Sequence, residues 1–120
     1  MITADFEDFL YEEFGEVCIE TLNFSRATLK ETDIFRKRIK DNITNGKKNI
    51  IIDLSFCDYC DSSFIGALVV CTKKTGLENV KFAIVVSENS YMAYLIHSTR
   101  LDKVLTIFKT RDEALKHYIN

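Results

Sequence analysis

One run, Ile50 to Val70, limits what this chain can fold into more than any other. It opens with Ile50-Ile51-Ile52, β-branched and apolar, the pattern of a strand buried on both faces. A short loop with two acids, Asp58 and Asp61, follows. At Asp61-Ser62-Ser63 the pattern changes: the residues beyond are apolar almost without interruption and run to Thr75-Gly76, too long for a strand. They predict a buried helix, Ser62 to Thr75, whose N-terminus lies at Asp61-Ser62. Asp and Ser suit that place because their oxygens accept the unpaired N–H groups of a first helical turn. A hydroxyl there sits on the positive end of a helix dipole, at the mouth of the sheet. An anion is best tolerated at such a point, including a phosphate carried by the serine itself.

The flanking segments supply an alternating pattern. Phe6 to Phe14 predicts a first strand, acidic enough for a sheet edge. Gly15 makes a turn into a second strand, Val17 to Leu22, and the short separation predicts an antiparallel hairpin. Asn23 to Ala27 reads as a loop. Thr28-Leu29-Lys30-Glu31 has the form of a capping box and starts a helix at Leu29. Ile34, Phe35, Ile39 and Ile43 recur at helical spacing as its buried face, and Gly46 ends it. Asn49 to Leu54 is the third strand and Val80 to Val86 the fourth, apolar and so central. Tyr91 to Ser98 is a short helix burying Met92, Leu95 and Ile96. Val104 to Ile107 is a fifth strand. Thr110 to Glu113 is a second capping box, opening a last helix that buries Ala114, Leu115 and Tyr118. The order is β-β-α-β-α-β-α-β-α. Such alternation demands right-handed crossovers and a mostly parallel five-stranded sheet with an antiparallel N-terminal strand. No linker or repeat divides residues 1–120, so a single α/β domain is expected.

Charge and composition exclude several classes. A net charge of −2 gives no broad electrostatic case for nucleic acid or an anionic membrane. No apolar run approaches a membrane span. Met1 to Phe9 is acidic and lacks the regions of a signal peptide, so a cytoplasmic protein is expected. The basic residues Arg36, Lys37, Arg38 and Lys40 are diluted by Glu31, Asp33 and Asp41 and read as a solvated helix face.

The candidate chemistry is sparse. Cys57 and Cys60 spell CxxC, but no second pair completes a zinc site, and Asp-Ser holds the helix start that a redox cysteine would need. Cys60 reads as a small buried apolar residue and Cys57 as a loop residue. Asp53, Asp58 and Asp61 gather near the third strand's end, where acids are more often solvated or capping than metal-bound. Ser62 with His97 and an Asp has the residue types of a hydrolase triad, and nothing in the sequence brings them together. Phosphate-binding loops and dinucleotide fingerprints are absent. A non-enzyme needing neither cofactor nor metal is expected. In parallel sheets sites form beyond the carboxyl ends of strands. Asn23 to Ala27, Phe56 to Ser62 and Ser87 to Asn89 should therefore cluster at one end.

Asp53-Leu54-Ser55, with Cys60-Asp61-Ser62-Ser63-Phe64-Ile65-Gly66, resembles the signature of STAS domains, an Asp-Leu-Ser followed by an apolar residue and Asp-Ser-Ser-Gly-Leu-Gly. The likeness is closest to stand-alone bacterial anti-sigma factor antagonists. It implies a STAS-like fold and a transcription regulator that binds a kinase-type anti-sigma factor of the GHKL class. The resemblance makes Ser62 the phosphoacceptor, with Ser63 the neighbour it could be confused with, and a PP2C-like phosphatase the partner that removes the phosphate. The implied partner-binding residues are Asn23, Ser25, Asp58, Asp61, Ser62, Phe64 and Ile65. Phe64 departs from the family, which usually has Gly there. An outward ring would alter partner choice, whereas an inward ring would be core. The alternative reading is an unphosphorylated STAS subunit of a scaffold or transporter-associated complex.

Overall fold

The computed structural model describes residues 8–119. Strand β1 (Phe9–Phe14) turns at Gly15, whose φ of +63° is open to glycine at no steric cost, into β2 (Val17–Leu22). Strand β3 (Arg26–Ala27) precedes helix α1 (Leu29–Thr44). Then come β4 (Asn49–Asp53), β5 (Tyr59–Cys60), α2 (Ser62–Leu77) and β6 (Lys81–Val85). Helix α3 (Tyr91–Ser98), a 3-10 turn (Leu101–Lys103), β7 (Thr106–Phe108) and α4 (Arg111–Ile119) complete the order. The five main strands lie as β1-β2-β4-β6-β7, with β1 antiparallel to β2 and the remaining pairs parallel. This is the expected α/β architecture.

The pleat divides the core in two. Cys18, Leu22, Ile50, Ile52, Phe82 and Ile84 belong to the larger cluster, which contains Phe35 and Ile39 of α1, Phe64 and Leu68 of α2, and Met92 and Ile96 of α3. Val17, Ile19, Ile51 and Val85 meet Ala114, with Leu115 and Tyr118 of α4 half-buried beside them. Helices on both faces explain why β4 is apolar at successive positions.

Several local readings are corrected. Phe6 and Glu7 lie outside the described residues, and the described part of the first strand begins at Phe9. Helix α1 buries Thr32, Phe35, Ile39 and Asn42, whereas Ile34 is 52% exposed. Phe35 already fills the core-facing position, and its neighbour is turned about 100° away. Thr32 and Asn42 can be buried because each is bonded: the Thr32 hydroxyl donates to the Thr28 carbonyl at 3.0 Å, and the Asn42 amide donates to Glu20 at 2.9 Å. Helix α2 runs past Thr75-Gly76 to Leu77, and the left-handed residue after it is Asn79 (φ 59°). The last strand is Thr106–Phe108; Val104 follows the 3-10 turn. Arg26–Ala27 and Tyr59–Cys60, read as loop, form a short parallel pair. Two residues carry too little pattern to reveal a strand.

Glu20 is a deeply buried acid, 1% exposed beneath α1. Its carboxylate accepts from Arg38 Nε at 2.8 Å and from Asn42 Nδ2 at 2.9 Å. Burial nonetheless raises its pKa, outweighing those two bonds. A raised folded-state pKa means stability that is full at low pH and is lost as pH rises through the folded value. Wild type is therefore expected to lose stability relative to Glu20→Gln as pH climbs from about 4, the difference levelling off above the raised pKa. Urea midpoints of both proteins across pH test this, and a pH-independent difference would refute the raised value.

Candidate functional site

The strands β2, β4 and β6 end level with one another, since Thr21 pairs with Asp53 and Asp53 with Val85. The segments after them emerge at one end of the sheet, as expected. What joins them is the β3–β5 pair. The Ser25 carbonyl accepts the N–H of Asp58 at 2.7 Å and of Tyr59 at 3.1 Å, and the Ala27 carbonyl accepts the N–H of Asp61 at 3.0 Å. The loop after β2 is thereby sewn to the residues that lead into α2. Asp53 closes the first bend, accepting from the backbone N–H and hydroxyl of Ser55 at 2.9 and 2.6 Å.

Asp61 caps two helices at once. One carboxylate oxygen accepts the N–H of Phe64 at 3.0 Å, closing the first turn of α2. The other accepts the N–H of Leu29, the first residue of α1, also at 3.0 Å. Two helix N-termini thus converge on one anion, where both dipoles favour it. The sequence reveals only the first bond, because Leu29 is 32 positions away.

Ser62 is the first residue of α2 and is exposed; Ser63, behind it, is half-buried. Asn23, Ser25 and Asp58 are exposed and Ile65 is half-buried. Ser25, Asp58, Asp61 and Ser62 are brought together by the β3–β5 pair. Asn23 lies farther toward the sheet edge, its N–H donating to the Asp8 carbonyl at 2.8 Å. Phe64 takes the inward alternative: it is 0% exposed, with its ring 4.9 Å from that of Phe35. Its side chain is core and offers no surface to a partner.

Beside this end lies an aromatic row not anticipated from the sequence. Arg26 lies over the Tyr59 ring at 4.6 Å, Tyr59 stacks on Tyr91 at 6.2 Å, and Tyr91 meets Tyr94 at 6.0 Å. Tyr91 and Tyr94, one turn apart on α3, have the helical spacing that could have signalled a shared face.

The other candidate chemistries gain little. All four cysteines are free and buried. Burial pushes the Cys60 thiol up to about 12 and also raises Cys57, so neither has the thiolate character a redox centre requires. Cys60 instead packs against Met92, sulfur to sulfur at 3.6 Å. Among the described residues no three His, Cys, Asp or Glu side chains are placed to hold a metal. His97 is exposed and pairs with Asp102 at 3.2 Å; no hydrogen bond joins it to Ser62. No described helix is long and apolar enough to cross a membrane.

Comparison with known proteins gives one family. The model of the STAS domain matches residues 28–114. The chain is similar to the crystal structure of a Thermotoga maritima protein described as a candidate anti-sigma factor antagonist, at 26% identity over 93% of this chain and 95% of that one, with a TM-score of 0.82. An anti-sigma factor antagonist from Mycobacterium paratuberculosis is similar in fold, at 23% identity over 100% and 96% and a TM-score of 0.79. So is the phosphorylated form of the Bacillus cell fate determinant SpoIIAA, at 19% identity over 91% and 97% and a TM-score of 0.66.

Proposed function

The chain belongs to the STAS domain family, and from that membership we propose that it is an anti-sigma factor antagonist switched by phosphorylation of Ser62. The observation that carries the proposal is the setting of Ser62, exposed at the start of a helix whose first turn is fixed by Asp61. Likeness to anti-sigma factor antagonists, one of them solved in a phosphorylated form, supports it. In this reading the end of the sheet bearing Asn23, Ser25, Asp58, Asp61, Ser62 and Ile65 docks a GHKL-type anti-sigma factor kinase. The backbone of Phe64 lies within that face, while its ring serves the core. The unphosphorylated chain binds the kinase and so frees a sigma factor in the cytoplasm. The kinase phosphorylates Ser62, and a PP2C-like phosphatase reverses the step. The chain itself is a substrate and binding partner, not a catalyst.

Phosphate adds about −1.5 to −2 charges. At a helix N-terminus it disturbs the fold little, because the dipole favours an anion. Its effect falls on the partner, where facing like charges can cost several kcal/mol. Ser62→Ala is expected to fold, to bind the kinase and to refuse phosphate. Ser62→Asp is expected to fold and bind more weakly, as one negative charge imitates phosphate incompletely. Ser63→Ala should still accept phosphate. Intact mass of the three proteins and wild type, after incubation with a co-encoded GHKL-type kinase and ATP, tests the assignment. Phosphate persisting in Ser62→Ala and vanishing in Ser63→Ala would move the site by one residue. No modification of any of them by such a kinase would sink the switch.

A further inference from the structure

The row Arg26–Tyr59–Tyr91–Tyr94 runs away from the Ser62 end of the molecule across a surface that no role yet explains. Its near end is fixed to that site. Tyr59 belongs to β5, which leads through Cys60 and Asp61 into Ser62, and Arg26 is its partner across the β3–β5 pair. Its far end is fixed as well: Ser90 caps α3 through the N–H of Ala93 at 3.0 Å, and Met92 rests on Cys60. The rings therefore stand on two anchored elements. Yet Tyr91 is 54% and Tyr94 65% exposed, and among the described residues neither phenol hydroxyl has a hydrogen-bond partner. Rigid, amphipathic tyrosines with an arginine beside them are the side chains that dominate protein interfaces.

The charges around the row indicate what covers it. Arg26 pairs with no carboxylate and Asp58 with no cation among the described residues, although both are exposed and adjoin Tyr59. An unpaired cation and an unpaired acid side by side suit a protein surface of mixed charge. They do not suit a polyanion, and the net charge of −2 disfavours nucleic acid further. We propose that Arg26, Tyr59, Tyr91 and Tyr94 form a second contact for the protein partner that docks at Ser62. That partner lays apolar side chains against the two outer rings, and it sets an acid opposite Arg26 and a base opposite Asp58. The inference rests on the docking reading for Ser62 and extends its footprint onto α3.

The test is calorimetric titration of a purified, co-encoded GHKL-type kinase into wild type and into Tyr91→Ala/Tyr94→Ala. Both rings are largely exposed, so the double variant should melt as wild type does. Its affinity is expected to fall by about tenfold or more. Arg26→Glu should weaken binding too, by reversing the charge that meets the partner's acid. Equal affinity of wild type and double variant overturns the second contact and leaves docking at Ser62 standing. A wild type that binds no such kinase overturns the docking itself. A wild type that forms a dimer lost in the double variant assigns the rings to a second copy of the chain, and the proposal fails on that result also.

Discussion

Glycine in place of Phe64 is expected to lower the free energy of unfolding by about 3–6 kcal/mol, although glycine is the residue the family usually carries there. Truncating a buried phenylalanine to alanine costs about 3–5 kcal/mol in lost burial and cavity, and glycine adds up to about 1 kcal/mol within a helix. The ring is wholly enclosed and lies against Phe35, itself 0% exposed, so the neighbours have little freedom to close the gap. Against a total stability of about 5–15 kcal/mol, the loss is a large share. Phe64→Leu, which keeps most of the volume, should lose much less. Urea unfolding of the three proteins checks this. A glycine variant within about 1 kcal/mol of wild type would show that the ring does not fill the core.

Asp61→Ala is the second large effect, expected at about 1–4 kcal/mol. One lost N-cap costs about 0.5–2 kcal/mol, and this carboxylate serves two. Asp61→Asn is the discriminating variant. An amide has one acceptor oxygen, so it can keep the bond to Phe64 or the bond to Leu29 but not both. About half the loss is expected from it. Amide exchange locates the effect: in Asp61→Ala the N–H groups of Leu29 and Phe64 should both lose protection. Loss at Phe64 alone would mean that the bond to α1 contributes nothing in solution. The same pair of variants bears on function. Ser62 follows Asp61 directly, so a slack first turn of α2 should slow phosphate transfer to Ser62 even where the fold survives.

The order of elements was legible in the sequence because local signals agreed with one another. The capping box at Thr28, the Thr110 hydroxyl at the start of α4, the turn at Gly15 and the apolar strands Ile50–Ile52 and Phe82–Val85 each specify a local conformation. Their alternation then demands a mostly parallel sheet, while the strand order β1-β2-β4-β6-β7 came from the structure. The position of Ser62 was legible for the same reason, since Asp61 and Ser62 lie at the change from strand-and-loop to helix. The STAS likeness was carried by that same stretch.

The tertiary structure alone decided the rest, and in each case the deciding partner is remote in sequence. Phe64 points inward because Phe35, on another helix, leaves it a space. Asp61 reaches Leu29 because the β3–β5 pair draws two loops together, and that pair is too short to leave a pattern. Glu20 carries no local sign of burial, and it is buried because Arg38 and Asn42 come down on it from α1. Ile34 fits the apolar period of α1 and still faces water, since a period fixes which residues share a face but not how far the core extends around the helix. Arg26, Tyr59, Tyr91 and Tyr94 are scattered along the chain and became a row only when β3, β5 and α3 packed side by side. Local conformation follows from neighbouring residues and can be read from them; burial and pairing follow from which elements meet, and that is settled only when the whole chain is packed.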